Sequence, residues 1–133
     1  MPSTALFRVK RSPISGLGLY ATADIGRGGF LCEYIGDRIT HTMASGSRSR
    51  YLFTLNRTHA IDGSSRRNVA RYFNHSCRPN CKVFGGHALR AYTSRRIRDG
   101  EELTINYGRE YCLRFIPNCK CGACAEVAVR TAN

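Results

Sequence analysis

The chain has 133 residues, of which 42% are hydrophobic and 10% aromatic, which suits one folded domain and argues against a two-domain enzyme or a disordered chain. Its 21 Lys and Arg against 9 Asp and Glu give a net charge of +12, carried mostly by arginine, so acidic partners such as nucleic-acid phosphate or an acidic protein face are expected. No apolar run approaches the roughly 18 residues of a membrane span, and MPSTALFRVKRSP lacks a signal-peptide core, so a soluble intracellular protein is expected.

In chain order, short apolar or alternating runs appear at FRVK (7–10), GLYA (18–21), FLCEYI (30–35), YLFTL (51–55), HAID (59–62), CKVF (81–84), ALRAY (88–92) and ELTINY (102–107). Glycines break them at Gly16 and Gly18, Gly26 to Gly29, Gly63, Gly85 to Gly86 and Gly100. Such close, regular punctuation predicts small antiparallel sheets rather than alternating βα units. Short helices are predicted at NVARYF (68–73) and REYCLRF (109–115), and the polar HTMASGSRSR (41–50) reads as a loop.

Several segments carry groups suited to chemistry. Gly16-Leu17-Gly18 lets a ligand approach the backbone, although it lacks the third glycine of a dinucleotide fingerprint. RYFNHSCRPNC (71–81) packs Asn74, His75, Cys77 and Asn80 between apolar flanks, but without the acids or extra histidines of a triad or a histidine metal site. Taken singly, each of these residues also reads as a turn or core polar group. Tyr107 ends the strand of DGEELTINYG (99–108), and Tyr34 stands similarly in EYIGDRIT (33–40). Seven cysteines, an odd count for a disulfide scaffold, include Cys119, Cys121 and Cys124 crowded within six residues, which turns attention to metal binding.

Taken together, these motifs resemble those of the SET domain, the fold of protein lysine methyltransferases. Gly16-Leu17-Gly18 is similar to the family's first glycine motif, EYIGDRIT to its Tyr-x-Gly segment, RYFNHSCRPN to its RFxNHSCxPN loop, GEELTINYG to its GEELTxDY strand, and CKCGAC to the zinc-binding post-SET tail. The chain resembles the minimal SET domains of viruses and bacteria. The resemblance implies a mainly β fold of small antiparallel, β-clip-like sheets with a pseudoknot and short helices, a SET domain over 1–111 and a zinc-binding tail over 112–133.

The resemblance further implies transfer of a methyl group from S-adenosylmethionine to a lysine ε-amine, on a histone or another DNA-associated protein. Gly16, Leu17, Gly18, Tyr51, Arg71, Asn74 and His75 would bind the cofactor, and Tyr107 and Tyr34 would wall the lysine channel. Cys77, Cys119, Cys121 and Cys124 would share one Zn²⁺, with Cys112 as a substitute ligand and Cys32 and Cys81 as core thiols. Departures from the family pattern are two residues rather than four between the last two cysteines, Asn106 in place of the usual Asp, and Ile105 at the position that tunes methyl number. A non-catalytic SET-like module binding chromatin or DNA through its arginines is the alternative. A basic enzyme acting on basic tails needs acidic residues near its site, for which Glu33, Asp37, Glu101, Glu102 and Glu110 are candidates. Nuclear or chromatin-associated residence is expected in a eukaryotic or host-directed setting, and cytoplasmic residence otherwise.

Overall fold

A computed structural model describes residues 6–108 together with 111, 112 and 115. Its strands are β1 (Phe7–Arg11), β2 (Leu17–Ala21), β3 (Phe30–Tyr34), β4 (Asp37–Thr40), β5 (Leu52–Thr54), β6 (His59–Asp62), β7 (Asn74–His75), β8 (Cys81–Phe84), β9 (Leu89–Thr93) and β10 (Glu102–Ile105). A short helix α1 (His41–Ser45) and a 3₁₀ turn (Val69–Tyr72) accompany them, and Tyr111, Cys112 and Phe115 are helical. The fold is therefore mainly β, as the punctuated runs predict. None of the helices among the described residues is long and apolar enough to cross a membrane.

The chain forms two compact units, one gathering the chain up to Gly29, Tyr72–Lys82 and the chain from Thr93 onward, the other Phe30–Arg71 and Val83–Tyr92. In the first, a four-stranded sheet runs β1-β2-β10-β7. β1 and β2 pair antiparallel from Phe7↔Ala21 to Arg11↔Leu17, and the turn between them closes through Ser12 N–H to Gly16 O at 2.9 Å. Leu19, Ala21, Phe73, Leu103 and Ile105 are buried, so β2 and β10 form the centre of this core. Outermost β1 keeps Arg8, Lys10 and Arg11 exposed, charges that discourage edge-to-edge pairing.

The expectation of antiparallel pairing fails at one place: β7 and β10 pair in parallel, Thr104↔Asn74 and Ile105↔His75. The contact is short, and one backbone bond and the Asn80 side chain complete it. Ser76 N–H donates to Ile105 O at 3.0 Å. Buried Asn80 accepts from Thr104 N–H at 2.9 Å and donates to Glu102 O at 2.7 Å.

In the second unit one sheet runs β3-β9-β8 and another β4-β6-β5. β3 pairs β9 with a bulge between Phe30 and Cys32, and Tyr92 of β9 meets Phe30 and Phe84 edge-on at 5.5 and 5.9 Å. Burial pushes the Cys32 thiol up to about 12, which makes it an inert structural group. β4 was hidden in the sequence within the run that begins at β3, because Gly36 separates the two strands without a wider break. The segment 41–50, expected as a loop, begins with α1 because Thr40 caps it, its hydroxyl accepting from Met43 N–H at 3.2 Å.

Asn68 organises this unit from inside. Fully buried, it accepts from Ile35 N–H at 3.1 Å and donates to Gly63 O at 3.0 Å, tying the segment after β3 to the segment after β6. Asn68→Ala strands both backbone groups, so urea denaturation is expected to show a loss of about 1–3 kcal/mol. Unchanged stability would show that the two backbone groups find other partners.

Candidate functional site

The first unit concentrates most of the residues singled out in the sequence. Gly16 has φ +42 and open space where a Cβ would stand, and Leu17 is 44% exposed, so the backbone of this turn is open to a small ligand. Gly18 behaves differently. A Cβ there would collide with the Glu102 carboxylate and come within 3.0 Å of Asn74 Nδ2 and Ser12 Cβ. Glycine is required by packing rather than by φ.

Asn74 is buried and its Nδ2 donates to Ser15 O at 3.2 Å, Leu17 O at 3.0 Å and Glu102 Oε2 at 2.9 Å. The asparagine thus binds the glycine turn directly, although 57 residues separate it from Leu17. Its neighbour His75 accepts from Tyr107 N–H through Nδ1 at 3.0 Å. The second ring nitrogen, Nε2, therefore carries the proton in the neutral ring and faces Cys77 Sγ at 3.4 Å. Burial lowers the His75 pKa, and protonating Nδ1 would set two N–H donors against each other. Cys112 Sγ lies 3.6 Å from His75 Nδ1 and 3.5 Å from Nε2.

Tyr107 follows directly from the β7–β10 pair. Its hydroxyl donates to Phe73 O, and its ring lies 5.4 Å from His75 and 5.0 Å from Tyr111. The phenol proton is thereby directed to a carbonyl.

In the second unit Tyr34 is buried, and its hydroxyl donates to Tyr51 O at 2.7 Å. Its ring packs against Phe53 at 5.3 Å, and a Cβ on Gly63 would come within 2.6 Å of its Cζ. The Arg71 guanidinium lies over the Tyr51 ring at 4.4 Å and donates to Ser64 O at 2.6 Å. Tyr34, Tyr51 and Arg71 thus form one connected group. Cys119, Cys121 and Cys124, with Glu110, lie outside the described residues. Among the described residues no group of three or more His, Cys, Asp or Glu is arranged to hold a metal.

Of the acidic candidates, Glu33 and Asp37 are exposed, whereas Glu101 and Glu102 are half-buried and hydrogen-bonded. Glu33 faces Arg90 at 3.8 Å. Burial pulls the Glu101 carboxyl up, but Arg95, the Arg98 N–H and Asn80 outweigh it and hold the group below its ordinary value. Glu102 accepts from Ser12, Tyr20 and Asn74; nothing in the sequence near it signals this, because its partners are distant in the chain.

Comparison with known proteins meets this geometry on the same residues: residues 16–108 match the SET domain. The chain belongs to the SET domain family. It is 37% identical to histone-lysine N-methyltransferase trithorax of Drosophila virilis over 129 residues, covering 86% of this chain and 3% of that protein. It is 36% identical to an H3 lysine-4 specific histone-lysine N-methyltransferase of Emericella nidulans over 132 residues, covering 87% and 11%. Against histone-lysine N-methyltransferase 2D of Homo sapiens it is 39% identical over 128 residues, covering 85% and 2%. The chain therefore spans about a ninth or less of the length of these relatives.

SET methyltransferases use S-adenosylmethionine, and the first unit suits such a ligand, with an accessible glycine turn beside an oriented amide. Gly18→Ala forces the methyl into the contact between that turn and β10. It is expected to destabilise the fold by about 1–3 kcal/mol, read by chemical denaturation, and a neutral result would mean that the Glu102 side chain moves aside without cost.

Proposed function

We propose that this SET domain is a protein lysine N-methyltransferase acting on a histone or another chromatin protein. The observation that carries the reading is the cluster of Asn74, His75 and Tyr107, assembled by the parallel β7–β10 pair beside Gly16–Gly18, in a chain similar to named histone-lysine N-methyltransferases. S-adenosylmethionine supplies an electrophilic sulfonium methyl. The backbone of Gly16, Leu17 and Gly18 and the Asn74 amide hold its methionine end, the His75 main chain serves the adenine, and Tyr51 and Arg71 complete the binding set.

Tyr107 and Tyr34 serve the lysine. An ammonium of pKa about 10.4 must lose its proton before it can attack, and apolar aromatic walls favour the neutral amine. Tyr107, whose proton is directed to Phe73 O, offers its phenol oxygen as an acceptor that orients the amine. Tyr34 spends its hydroxyl on Tyr51 O and contributes its ring, which tolerates developing positive charge by cation–π attraction. No carboxylate base is required, because the proton leaves to water. Ile105, aliphatic and buried, leaves more room than a phenol and suits addition of more than one methyl.

The arginine-rich surface is assigned to the phosphates of nucleosomal DNA, with residence at chromatin following from it. Methyltransfer assays on histones and nucleosomes with mass-spectrometric site mapping test the substrate. Tyr107→Phe is expected to lower turnover about 10-fold or more with S-adenosylmethionine affinity nearly unchanged; full activity would reduce Tyr107 to a structural residue.

The tail 112–133 is assigned as a zinc clamp in which Cys77 joins Cys119, Cys121 and Cys124. Support for it is Cys77, exposed on the same loop as Asn74 and His75, together with the crowding of the other three in the sequence. Purified protein should carry about one zinc per chain, and chelation should lower activity. Metal analysis near zero in active protein would remove the clamp, and full zinc occupancy in Cys77→Ser would transfer the fourth position to Cys112.

A further inference from the structure

We infer that Glu102 is a positioning residue of the cofactor half-site, fixing the glycine turn and the Asn74 amide with a single carboxylate. The inference rests on the proposed role of Gly16–Gly18 and Asn74 in holding the methionine end of S-adenosylmethionine. Three donors converge on Glu102. Ser12 Oγ lies 2.9 and 2.8 Å from its two carboxylate oxygens, the Tyr20 hydroxyl 3.2 Å from Oε1, and Asn74 Nδ2 2.9 Å from Oε2.

The antiparallel register places Glu102 opposite Tyr20, and the absence of a side chain at Gly18 leaves the space the carboxylate occupies. Burial pushes the Tyr20 phenol up and the Glu102 charge adds to the effect, so this partner remains a donor. Ser12 relays the grip, because while its hydroxyl donates to Glu102 its oxygen accepts from Ile14 N–H at 3.0 Å. The turn leading into Gly16 is thereby attached to β10.

An ionised carboxylate accepts only, whereas an asparagine amide can be turned either way about its last bond. Around Asn74 Nδ2 stand the carbonyls of Ser15 and Leu17 and the Glu102 carboxylate. A reversed amide would set its oxygen against acceptors alone. Glu102 and the two carbonyls therefore select one orientation and turn Oδ1 to the opposite side, where it is an acceptor suited to an ammonium group. The amino-acid end of S-adenosylmethionine carries such a group. Glutamine at position 102 would direct an N–H at one of the three donors and weaken that selection.

The test is calorimetric binding of S-adenosylmethionine to the full chain and to Glu102→Ala, Glu102→Gln, Ser12→Ala, Asn74→Ala and the Asn74→Ala/Glu102→Ala pair. Glu102→Ala is expected to weaken binding about 10-fold or more, which is the loss of one charge-assisted contact. Glu102→Gln and Ser12→Ala should each lose about 3- to 10-fold. The pair should lose clearly less than the product of the two single losses, because Glu102 acts in part through Asn74; a residue acting independently of Asn74 would show losses that multiply. Wild-type affinity in a folded Glu102→Ala protein, or multiplying losses, overturns the inference while Asn74 keeps its role. Unchanged affinity in Asn74→Ala overturns the cofactor assignment and this inference with it. If Glu102→Ala does not fold, the glutamine variant and Ser12→Ala decide, and wild-type affinity in both overturns the inference.

Discussion

Two parallel residue pairs, Asn74 with Thr104 and His75 with Ile105, govern the arrangement of the first unit. Parallel strands of this length have little intrinsic stability, and here buried Asn80 supplies what the ladder lacks by satisfying backbone groups of Glu102 and Thr104. Once the pair forms, Asn74 faces the glycine turn and His75 receives the Tyr107 N–H. A loop dense in polar groups is thus held rigid without a disulfide or a long helix. Asn74, His75 and Asn80 each have partners inside the fold.

The charge balance is resolved at the level of individual acids. A chain of net charge +12 has few carboxylates, and Glu33, Glu101 and Glu102 are engaged with partners of their own. Glu101 and Glu102, adjacent in sequence, point to different tasks. The first is held by Arg95 and braces Asn80, and the second gathers the turn and Asn74. Glu33 and Asp37, by contrast, are exposed on the second unit.

What the sequence revealed follows the range of the interactions involved. Alternating runs broken by glycine are local, so most strands were readable. β4 was lost because Gly36 divides one apparent run, and α1 because a single Thr40 cap outweighs a polar composition. β7, two residues long, has no pattern to read, and its parallel pairing depends on residues about 30 positions away. The site residues were legible only through their resemblance to a family, since each taken alone has an ordinary structural reading. Glu102 looked like the acidic start of a strand; its partners Ser12 and Tyr20 lie 90 and 82 residues distant.

The chain passes between its two compact units four times, at Gly29, Arg71, Lys82 and Tyr92, and this threading bears on how the protein is made. The central sheet of the first unit cannot close until β10 meets β2, a loop of about 80 residues whose closure cost grows only slowly with length, yet which delays folding as distant pairings do. During synthesis, the residues from Leu6 to about position 100 can emerge and still lack the strand that joins turn, asparagine and histidine. A nascent chain therefore brings the glycine turn, Asn74 and His75 together in one step, once β10 has emerged.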